Sequence, residues 1–382
     1  MIKRALEKSI NEKIGSGKAI IITGARQTGK TTLLSSLFSD RIDTIWLDAD
    51  EADVQALFGN PTSSRLKALF AGKKYIVIDE AQRIKNVGIK LKLITDHLKE
   101  IQVIATGSSS FELANEINEP LTGRKWEYQL FPLSFGEMAA HNSILEEIRM
   151  LPHRLVFGYY PEVVTKPGVE KEILKQLTDS YLYKDILMWE RIKKPDKLVR
   201  LLQSLAFQVG NEVSYNELAN NLELDNQTVE KYIQLLEQVF VIFRLGAFSR
   251  NLRKELKRSR KIYFYDNGIR NSLIANFNPP EIRIDTGALW ENFIIAERIK
   301  YIRNNNIWAN TYFWRTQDQQ EIDYIEERDG NLYAYEFRWN PKSKARLSRT
   351  FSSAYPEVKF EVVNPDNFES FLGLSEEDQT SF

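Results

Sequence analysis

The sequence contains no cysteine and only three histidines. The missing cysteines exclude disulfide bonds and thiolate metal sites. His97, His141 and His153 are too scattered along the chain to predict a zinc site. We therefore expect neither a disulfide-stapled scaffold nor a zinc-centred function.

Long apolar runs are also missing. Runs such as Ala19 to Ile22 and Tyr75 to Ile78 have the length of strands, far below the roughly 20 residues that a membrane helix needs. The N-terminal stretch MIKRALEKSINEKIG has no apolar segment that would serve as a signal peptide. We expect a cytoplasmic protein with no membrane partner.

Neither sign of charge is in excess, since 52 Lys and Arg residues balance 52 Asp and Glu residues. No overall field steers the chain toward nucleic acid or membrane, so any such partner must meet a local patch. The 382 residues exceed one ordinary core. At roughly 100 to 200 residues per domain, they predict two to four units.

Pattern changes along the chain predict four domains. Residues 1–150 alternate short apolar runs with helical stretches, which is typical of a parallel sheet with crossover helices. Residues 151–210 have helical periodicity and indicate a helical lid or connector. Residues 211–278 predict two helices and then two strands around a basic stretch, the order of a winged helix. Residues 279–382, which begin at a proline pair, predict a further α/β domain.

Residues 24–31, with the sequence GARQTGKT, fit the pattern of a phosphate-binding loop. They stand between a predicted strand, Ala19 to Thr23, and a helix that begins at Thr31. Glycines let backbone N–H groups surround phosphates, Lys30 would reach the two outer phosphates, and the Thr31 hydroxyl would bind Mg²⁺. A nucleoside triphosphate with Mg²⁺ is therefore the predicted ligand. The predicted nucleotide-binding residues are Gly24, Ala25, Arg26, Gln27, Thr28, Gly29, Lys30, Thr31, Thr32 and Thr106.

Two carboxylates follow the apolar run at 75–78. Asp79 would complete the Mg²⁺ site together with Thr31, and Glu80 would polarise the attacking water as a general base. The alternative is a strand that merely ends in solvated acids.

Hydroxyl groups follow the next predicted strand, Gln102 to Ala105, in the sequence TGSSS. Either Thr106 or Ser108 would lie at the same edge of the sheet and sense the γ-phosphate. The alternative is an ordinary polar turn, because Ser and Thr are common in turns.

Eight short motifs span nearly the whole chain: GARQTGKT (24–31), IDEAQ (78–82), TGSS (106–109), LTGR (121–124), FPLSFGE (131–137), GYYPE (158–162), YLYKD (181–185) and GALWENF (287–293). Together they resemble the prokaryotic AAA-like P-loop ATPases whose C-terminal half is a conserved domain of unknown function. The resemblance implies an AAA+/ASCE-type α/β fold, ATP as the nucleotide, and the possibility of a homo-oligomer. It also implies that Arg124 is a sensor or arginine finger, acting within its own subunit or across an interface.

A basic stretch at 250–261 contains seven cations and one acid. As the wing of a winged helix, Arg250 to Lys261 would neutralise DNA phosphates with salt-dependent and largely sequence-blind affinity. The preceding helix also carries Glu230 and Glu237, which oppose DNA contact. A charged hairpin in a protein-docking module is the alternative.

The dipeptide Asp-Gly at 329–330 predicts a two-residue hairpin turn. Pairing around that turn would set Asp323 opposite Glu336 and Glu321 opposite Arg338. All four side chains would then project from one face of the sheet. Two opposed carboxylates repel each other, so the arrangement needs a nearby cation, and a divalent metal is one answer.

The acids Asp323 and Glu336, with Glu291 on the preceding helix, are similar to the PD-(D/E)XK nuclease fold, the restriction-endonuclease-like fold. That resemblance implies a metal bound by Asp323 and Glu336. Arg338 stands where the nuclease fold has a lysine, and an arginine cannot exchange its proton as a lysine does. The alternative is that Arg338 simply neutralises the acids.

Three functions stay open from the sequence. The first is a Mg²⁺-dependent ATPase, with Lys30, Glu80 and Arg124 as catalytic residues, whose nucleotide state repositions a C-terminal half acting on or near DNA. The second is an ATP-dependent nuclease. The third is a nucleotide-gated regulatory switch or scaffold with slow turnover and no role on DNA.

Overall fold

The computed structural model describes residues 1–108, 117, 120–181, 194–249, 260–316 and 318–374. The chain divides into two compact units, Met1–Leu133 with Gln238–Phe240, and Ser134–Glu237 with Val241–Phe382. Most of the basic stretch, at 250–259, and residues 182–193 of the predicted connector lie outside the described residues. In the described part of the chain, no helix is both long enough and apolar enough for a membrane crossing.

A five-stranded parallel sheet forms the centre of the first unit, in the order β2-β3-β4-β1-β5. Its strands are β1 Ala19–Thr23, β2 Thr44–Asp48, β3 Tyr75–Asp79, β4 Gln102–Gly107 and β5 Lys125–Gln129. The helices described here are α1 Leu6–Asn11, α2 Lys30–Phe38, α3 Ala52–Leu57, α4 Ser63–Leu69 and α5 Val87–His97. Strands β1 and β4 are buried along their whole length, because helices cover both faces of a parallel sheet. The predicted α/β fold with a parallel sheet is confirmed.

Alternate residues of β1 pack on opposite faces of this sheet. Ile21 joins one apolar cluster together with Ile78 and Leu91, whereas Ile20 joins another with Phe38. Because β4 lies between β1 and β3, the carboxyl ends of three neighbouring strands meet at one edge. That edge is where the predicted phosphate-binding loop and the predicted carboxylates come together.

Strand β5 was not predicted from the sequence. It lies at the edge of the sheet, and of its five residues only Tyr128 is buried. An edge strand with a charged, partly exposed sequence has no continuous apolar run, so it left no strand signal.

The second unit begins with helices, followed by a mixed sheet of six strands in the order β11-β10-β9-β8-β6-β7. Its described helices are α6 Phe135–His141, α7 Ile144–Arg149, α8 Leu151–Phe157, α9 Pro161–Thr165, α10 Glu170–Tyr181, α11 Pro195–Phe207, α12 Tyr215–Leu222, α13 Asn226–Gln238, α14 Asn267–Leu273, α15 Thr286–Asn304, α16 Arg349–Ala354 and α17 Phe368–Phe371. Its strands are β6 Ile242–Ala247, β7 Arg260–Phe264, β8 Asn310–Arg315, β9 Glu321–Arg328, β10 Asn331–Phe337 and β11 Lys359–Val363.

Helices α12 and α13 and strands β6 and β7 follow one another in the order that the sequence predicted for residues 211–278. Strands β6 and β7 pair antiparallel, and β6 also pairs in parallel with β8. A single sheet therefore continues across residue 278, where the sequence analysis set a boundary.

The hairpin β9–β10 has the register that its turn predicted. Asn331 pairs with Arg328 and Tyr335 pairs with Tyr324. Asp329 and Gly330 both have positive φ, 50° and 74°, as a tight hairpin turn of this kind requires. Strand β11, which pairs in parallel with β10, was not predicted.

Candidate nucleotide-binding site

The loop at 24–29 joins β1 to α2, and its two glycines are required by the backbone. A Cβ atom on Gly24 would meet the carbonyl oxygen of Leu130 at 2.2 Å, closer than any side chain tolerates. Gly29, just before α2, has a φ of 92°, a left-handed conformation that glycine adopts without steric cost. The glycine positions of the motif therefore have a structural reason in addition to room for phosphates.

Lys30 is the first residue of α2, and only 5% of it is exposed. Its Nζ donates hydrogen bonds of 2.9 Å to the carbonyl oxygens of Gly24 and Ala25. The Thr28 hydroxyl donates to the same Ala25 oxygen at 2.8 Å. The ammonium group thus lies over the loop at the positive end of a helix dipole, a combination that attracts phosphate groups.

Asp79, at the end of β3, accepts hydrogen bonds from two hydroxyls. Thr31 Oγ1 donates to Oδ2 at 2.6 Å, and Thr106 Oγ1 donates to Oδ1. Both donors are uncharged, so neither supplies a positive charge that would compensate the carboxylate. The two predicted Mg²⁺ ligands, Thr31 and Asp79, are therefore one hydrogen bond apart.

These two ligands suit Mg²⁺, which is held in nucleotide sites by one or two protein oxygens together with waters and phosphates. Among the residues with described coordinates, no group of three or more acidic or histidine side chains is arranged to hold a metal ion. A metal site in the first unit would thus depend on the nucleotide for most of its ligands.

Glu80 has a left-handed backbone, with a φ of 49° and a ψ of 42°. Such a conformation costs a non-glycine residue roughly 1 kcal/mol or more and is typical of functional positions. Its N–H group donates to Thr106 Oγ1 at 3.1 Å, and its carboxylate accepts from the Gln82 side chain. The hydroxyl of Thr106, which was predicted as a sensor, therefore contacts both the Asp79 carboxylate and the Glu80 backbone.

Arg4 supports the loop and was missed by the sequence analysis. Its guanidinium donates to the carbonyl oxygen of Thr28 at 2.7 Å and to that of Phe131 at 2.7 Å. Only 8% of the residue is exposed. A single arginine near the N-terminus, outside any motif, has no sequence signal for this role.

Arg124, for which the sequence left action within its own subunit or across an interface open, is not brought to this site. Its carbonyl oxygen accepts from Ala19 N at 2.9 Å, at the start of β1, whereas the phosphate-binding loop follows the end of β1. The four residue steps from Ala19 to Thr23 separate the two ends of β1 by about 13 Å. The Arg124 side chain instead pairs with Asp96 at 2.7 Å. Action across a subunit interface stays a prediction.

A second polar site lies in the second unit, in a cavity of about 720 Å³. Glu321, Asp323, Glu336 and Arg338 all line it, so the prediction that they share one face of the hairpin is confirmed. Arg338 Nη1 lies 3.3 Å from Asp323 Oδ2, and Nη2 lies 2.5 Å from Glu336 Oε2. The cation that the opposed acids require is thus supplied by Arg338.

Lys261 occupies the other end of the acid group and is only 1% exposed. Its Nζ lies 3.1 Å from Glu291 Oε1 and 2.5 Å from Glu321 Oε1. Burial alone would lower the pKa of Lys261, but Glu291, Asp323 and Glu321 outweigh it and raise that pKa. The prediction that Lys261 contacts DNA is therefore corrected, because its charge is used inside the protein.

Two of the cavity acids titrate near neutral pH. Burial, and then repulsion by Asp323, raises the pKa of Glu336 to about 8. Burial also raises the pKa of Glu291 to about 7, although Lys261 opposes the shift. Both shifts arise mainly from burial, because the cavity is lined by as many as five cations beside its four acids.

The first unit has the fold and the loop geometry of an AAA-type P-loop domain. Residues 16–139 match the family model described as AAA domain. Residues 148–280 and 286–372 match two domains of unknown function, DUF8612 and DUF4143. The resemblance to AAA-like ATPases with a C-terminal domain of unknown function is confirmed.

Similar proteins cover most of the chain. An uncharacterized protein of Methanocaldococcus jannaschii is 24% identical over 388 residues, 94% of this chain and 84% of that protein. An uncharacterized protein of Mycobacterium tuberculosis is 25% identical over 344 residues, 89% and 74% of the two chains. The Walker-type ATPase of Pyrococcus abyssi aligns with a TM-score of 0.51 at 15% identity, over 72% of this chain and 96% of its own. That likeness shows the fold.

Proposed function

We propose that this protein is a Mg²⁺-dependent ATPase that converts ATP and water to ADP and phosphate in its first unit. The observation that supports this most is the hydrogen-bonded chain from Thr31 through Asp79 to Thr106. It joins the helix after the phosphate-binding loop to the end of β3, which Glu80 follows. The chain would thereby hold the nucleotide, the metal and the general base in one arrangement.

Each residue has a distinct task in this mechanism. Lys30 and the loop N–H groups would neutralise the outer phosphates, and Thr31 and Asp79 would hold Mg²⁺. Bound Mg²⁺ would draw charge from the phosphate oxygens. Glu80 accepts a proton from the water that attacks the γ-phosphorus, while the bond to the ADP oxygen breaks.

A phosphate-release assay tests this function directly. With Mg²⁺ present, we expect turnover of ATP and slower turnover of GTP, because the AAA resemblance favours adenine. Chelation of Mg²⁺ by EDTA should stop turnover. Equal rates with and without Mg²⁺ would contradict the proposal.

A second function, contact with nucleic acid, is favoured by the cations around the cavity of the second unit. Arg315, Arg346 and Arg349 line that cavity. The stretch 338–349 contains five cations and no acid, and Arg346 and Arg349 are exposed. Such a surface would bind the phosphate backbone of DNA with strong dependence on salt. The ATPase would then act on or near DNA.

Filter binding of DNA at two salt concentrations tests this second function. We expect charge reversal at Arg346 and Arg349 to weaken binding most at low salt. Matched reversal of Lys166, an exposed cation of the same unit paired with Glu162, serves as the control. If the protein hydrolyses ATP slowly, binds no DNA, and hydrolyses ATP at the same rate when DNA is added, a nucleotide-gated regulatory protein is favoured instead.

An ATP-dependent nuclease is the remaining alternative. Before cleavage, Asp323 and Glu336 would have to release the Arg338 guanidinium and bind a metal ion in its place. Incubation with plasmid, ATP and Mg²⁺ or Mn²⁺ would then show nicking that Asp323→Ala abolishes. The absence of nicking in the wild type would exclude this alternative.

A further inference from the structure

The Glu80 carboxylate contacts a second polar side chain, that of Gln82. Gln82 lies in the short 3-10 helix Ala81–Arg83 that follows β3. Its Nε2 donates to Glu80 Oε2 and also lies 3.1 Å from Ser108 Oγ. An ionised carboxylate only accepts hydrogen bonds, so the amide must turn Nε2 toward Glu80. The orientation of Oε1 is thereby determined as well.

Gln82 Oε1 is a buried acceptor without a hydrogen-bond partner among the residues that have described positions. A buried acceptor that makes no hydrogen bond costs roughly 1 to 3 kcal/mol. A structural role alone would favour a residue without this second polar atom. The amide therefore carries a cost in stability, and its donor Nε2 is the atom that contacts the Glu80 carboxylate.

Two side chains from the end of β4 hold Glu80 in different ways. Thr106 accepts from the Glu80 backbone N–H at 3.1 Å, whereas Ser108 contacts the side chain of Gln82 at 3.1 Å. Both Thr106 and Ser108 are buried. The backbone and the carboxylate of Glu80 are thus anchored separately to one strand, and the second anchor passes through Gln82.

We propose that Gln82 is a positioning residue for ATP hydrolysis, which orients the Glu80 carboxylate through the hydrogen bond that Nε2 donates. The proposal rests on the ATPase function proposed above. With Gln82 in place, the Glu80 carboxylate would keep one orientation toward the attacking water.

The substitution Gln82→Met tests this role, because it keeps most of the side-chain volume and removes both polar atoms. We expect kcat to fall by about 10- to 100-fold, because displacing a reacting group by about 1 Å slows a reaction by up to a factor of that size. The dissociation constant for ATP should not change, because Gln82 acts on Glu80 and not on the nucleotide. Ser108→Ala removes one of the two contacts of Nε2 and should give a smaller loss of kcat.

A matched control is Gln55→Met. Gln55 belongs to the same unit and donates through Nε2 to the Ala49 carbonyl oxygen at 2.8 Å, but it makes no hydrogen bond to Glu80. This variant should retain kcat. Equal losses in the two methionine variants would mean that any lost glutamine slows the enzyme, and would overturn the proposal.

A double substitution separates positioning from structural support. If Gln82 acts through Glu80, then Gln82→Met in a Glu80→Gln background should change kcat by about twofold or less, because coupled residues are not additive. A full additional loss in that background would overturn the proposal. So would an unchanged or increased kcat in Gln82→Met alone, since the amide would then be idle or would restrain the base.

The same series distinguishes failure of this proposal from failure of the ATPase function. If Glu80→Gln hydrolyses ATP as fast as the wild type, the proposed mechanism itself is wrong, and the role of Gln82 falls with it. If Glu80→Gln loses turnover but Gln82→Met does not, only the role of Gln82 is wrong. Circular dichroism and ATP binding by each variant show whether it has folded.

Discussion

The two units both place carboxylates in a polar site, but the partners of those carboxylates differ in charge. In the first unit, Asp79 accepts hydrogen bonds from the uncharged hydroxyls of Thr31 and Thr106. In the second unit, Asp323 and Glu336 both pair with the Arg338 guanidinium. A carboxylate held by neutral donors keeps its charge for a metal ion, whereas one paired with a guanidinium is already compensated. Acids that the sequence pattern placed correctly therefore differ in their capacity to bind a metal ion. That capacity depends on the charge of their hydrogen-bond and ion-pair partners.

The largest expected effect concerns ion pairs that support folding in the second unit. Glu326 has no exposed surface and pairs with Arg298, which is 4% exposed. We expect Glu326→Gln to lower the free energy of unfolding by about 3 to 5 kcal/mol, because it leaves a buried cation uncompensated. Urea denaturation measures this change, and ATP affinity in the first unit should stay the same.

Glu162→Gln is the matched control for that prediction. Glu162 pairs with Lys166, and both side chains are substantially exposed. Exposed pairs of this spacing contribute only about 0.3 to 0.5 kcal/mol. A similar loss of stability in both variants would show that the buried pair has no special role.

The next effect compares the two acid sites directly. Asp79→Asn should raise the Mg²⁺ concentration needed for half-maximal ATP hydrolysis by about 10- to 100-fold, because it removes a charged ligand. Asp323→Asn should leave that concentration unchanged, since Asp323 belongs to a site that Arg338 neutralises. Magnesium titration of phosphate release measures both. Equal effects of the two variants would remove the distinction between the sites.

The smallest effect is a pH dependence of stability in the second unit. Burial and the neighbouring Asp323 raise the pKa of Glu336 from 4.5 to about 8. Between these values the folded state binds more protons than the unfolded state, so stability falls as the pH rises. We expect a loss on the order of 1 to 2 kcal/mol from pH 5 to pH 8, or a few degrees in Tm.

Glu336→Gln should flatten this dependence, because glutamine does not titrate. It should not remove it entirely, since burial also raises the pKa of Glu291 to about 7. Thermal unfolding at pH 5 and pH 8 measures both proteins. Identical slopes in wild type and variant would show that Glu336 keeps an ordinary pKa in the folded state.

Local patterns were sufficient to predict the phosphate-binding loop, four strands of the first sheet and the register of the β9–β10 hairpin. Each of these depends on neighbours in sequence, such as the Asp-Gly turn at 329–330 or the glycines at 24 and 29. The hairpin register also placed Asp323 and Glu336 on one face with Arg338. Edge strand β5 and strand β11 were missed, because neither has a continuous apolar run and both depend on pairing partners distant in sequence.

Contacts between distant residues were not predicted. Lys261 was assigned to a DNA-binding wing from its basic neighbours, yet the fold buries it against Glu291 and Glu321. Arg124 was assigned to the nucleotide by resemblance, yet it lies at the amino ends of the strands. The phosphate-binding loop lies at their carboxyl ends. Arg4 supports the loop from a position outside any motif. In each case the partner of a charge is set by the tertiary fold, and a residue's local sequence does not reveal it.

The central claim is that one site binds ATP through Lys30 and cleaves it through Glu80, and calorimetric ATP binding paired with phosphate release tests it most directly. We expect Lys30→Ala to raise the Kd for ATP by about 100-fold, because it removes a buried charge from the phosphate site. Glu80→Gln should bind ATP as the wild type does and lose about 10²- to 10⁴-fold in turnover. Wild-type protein that binds no ATP, or an equal loss of binding in both variants, would contradict this account.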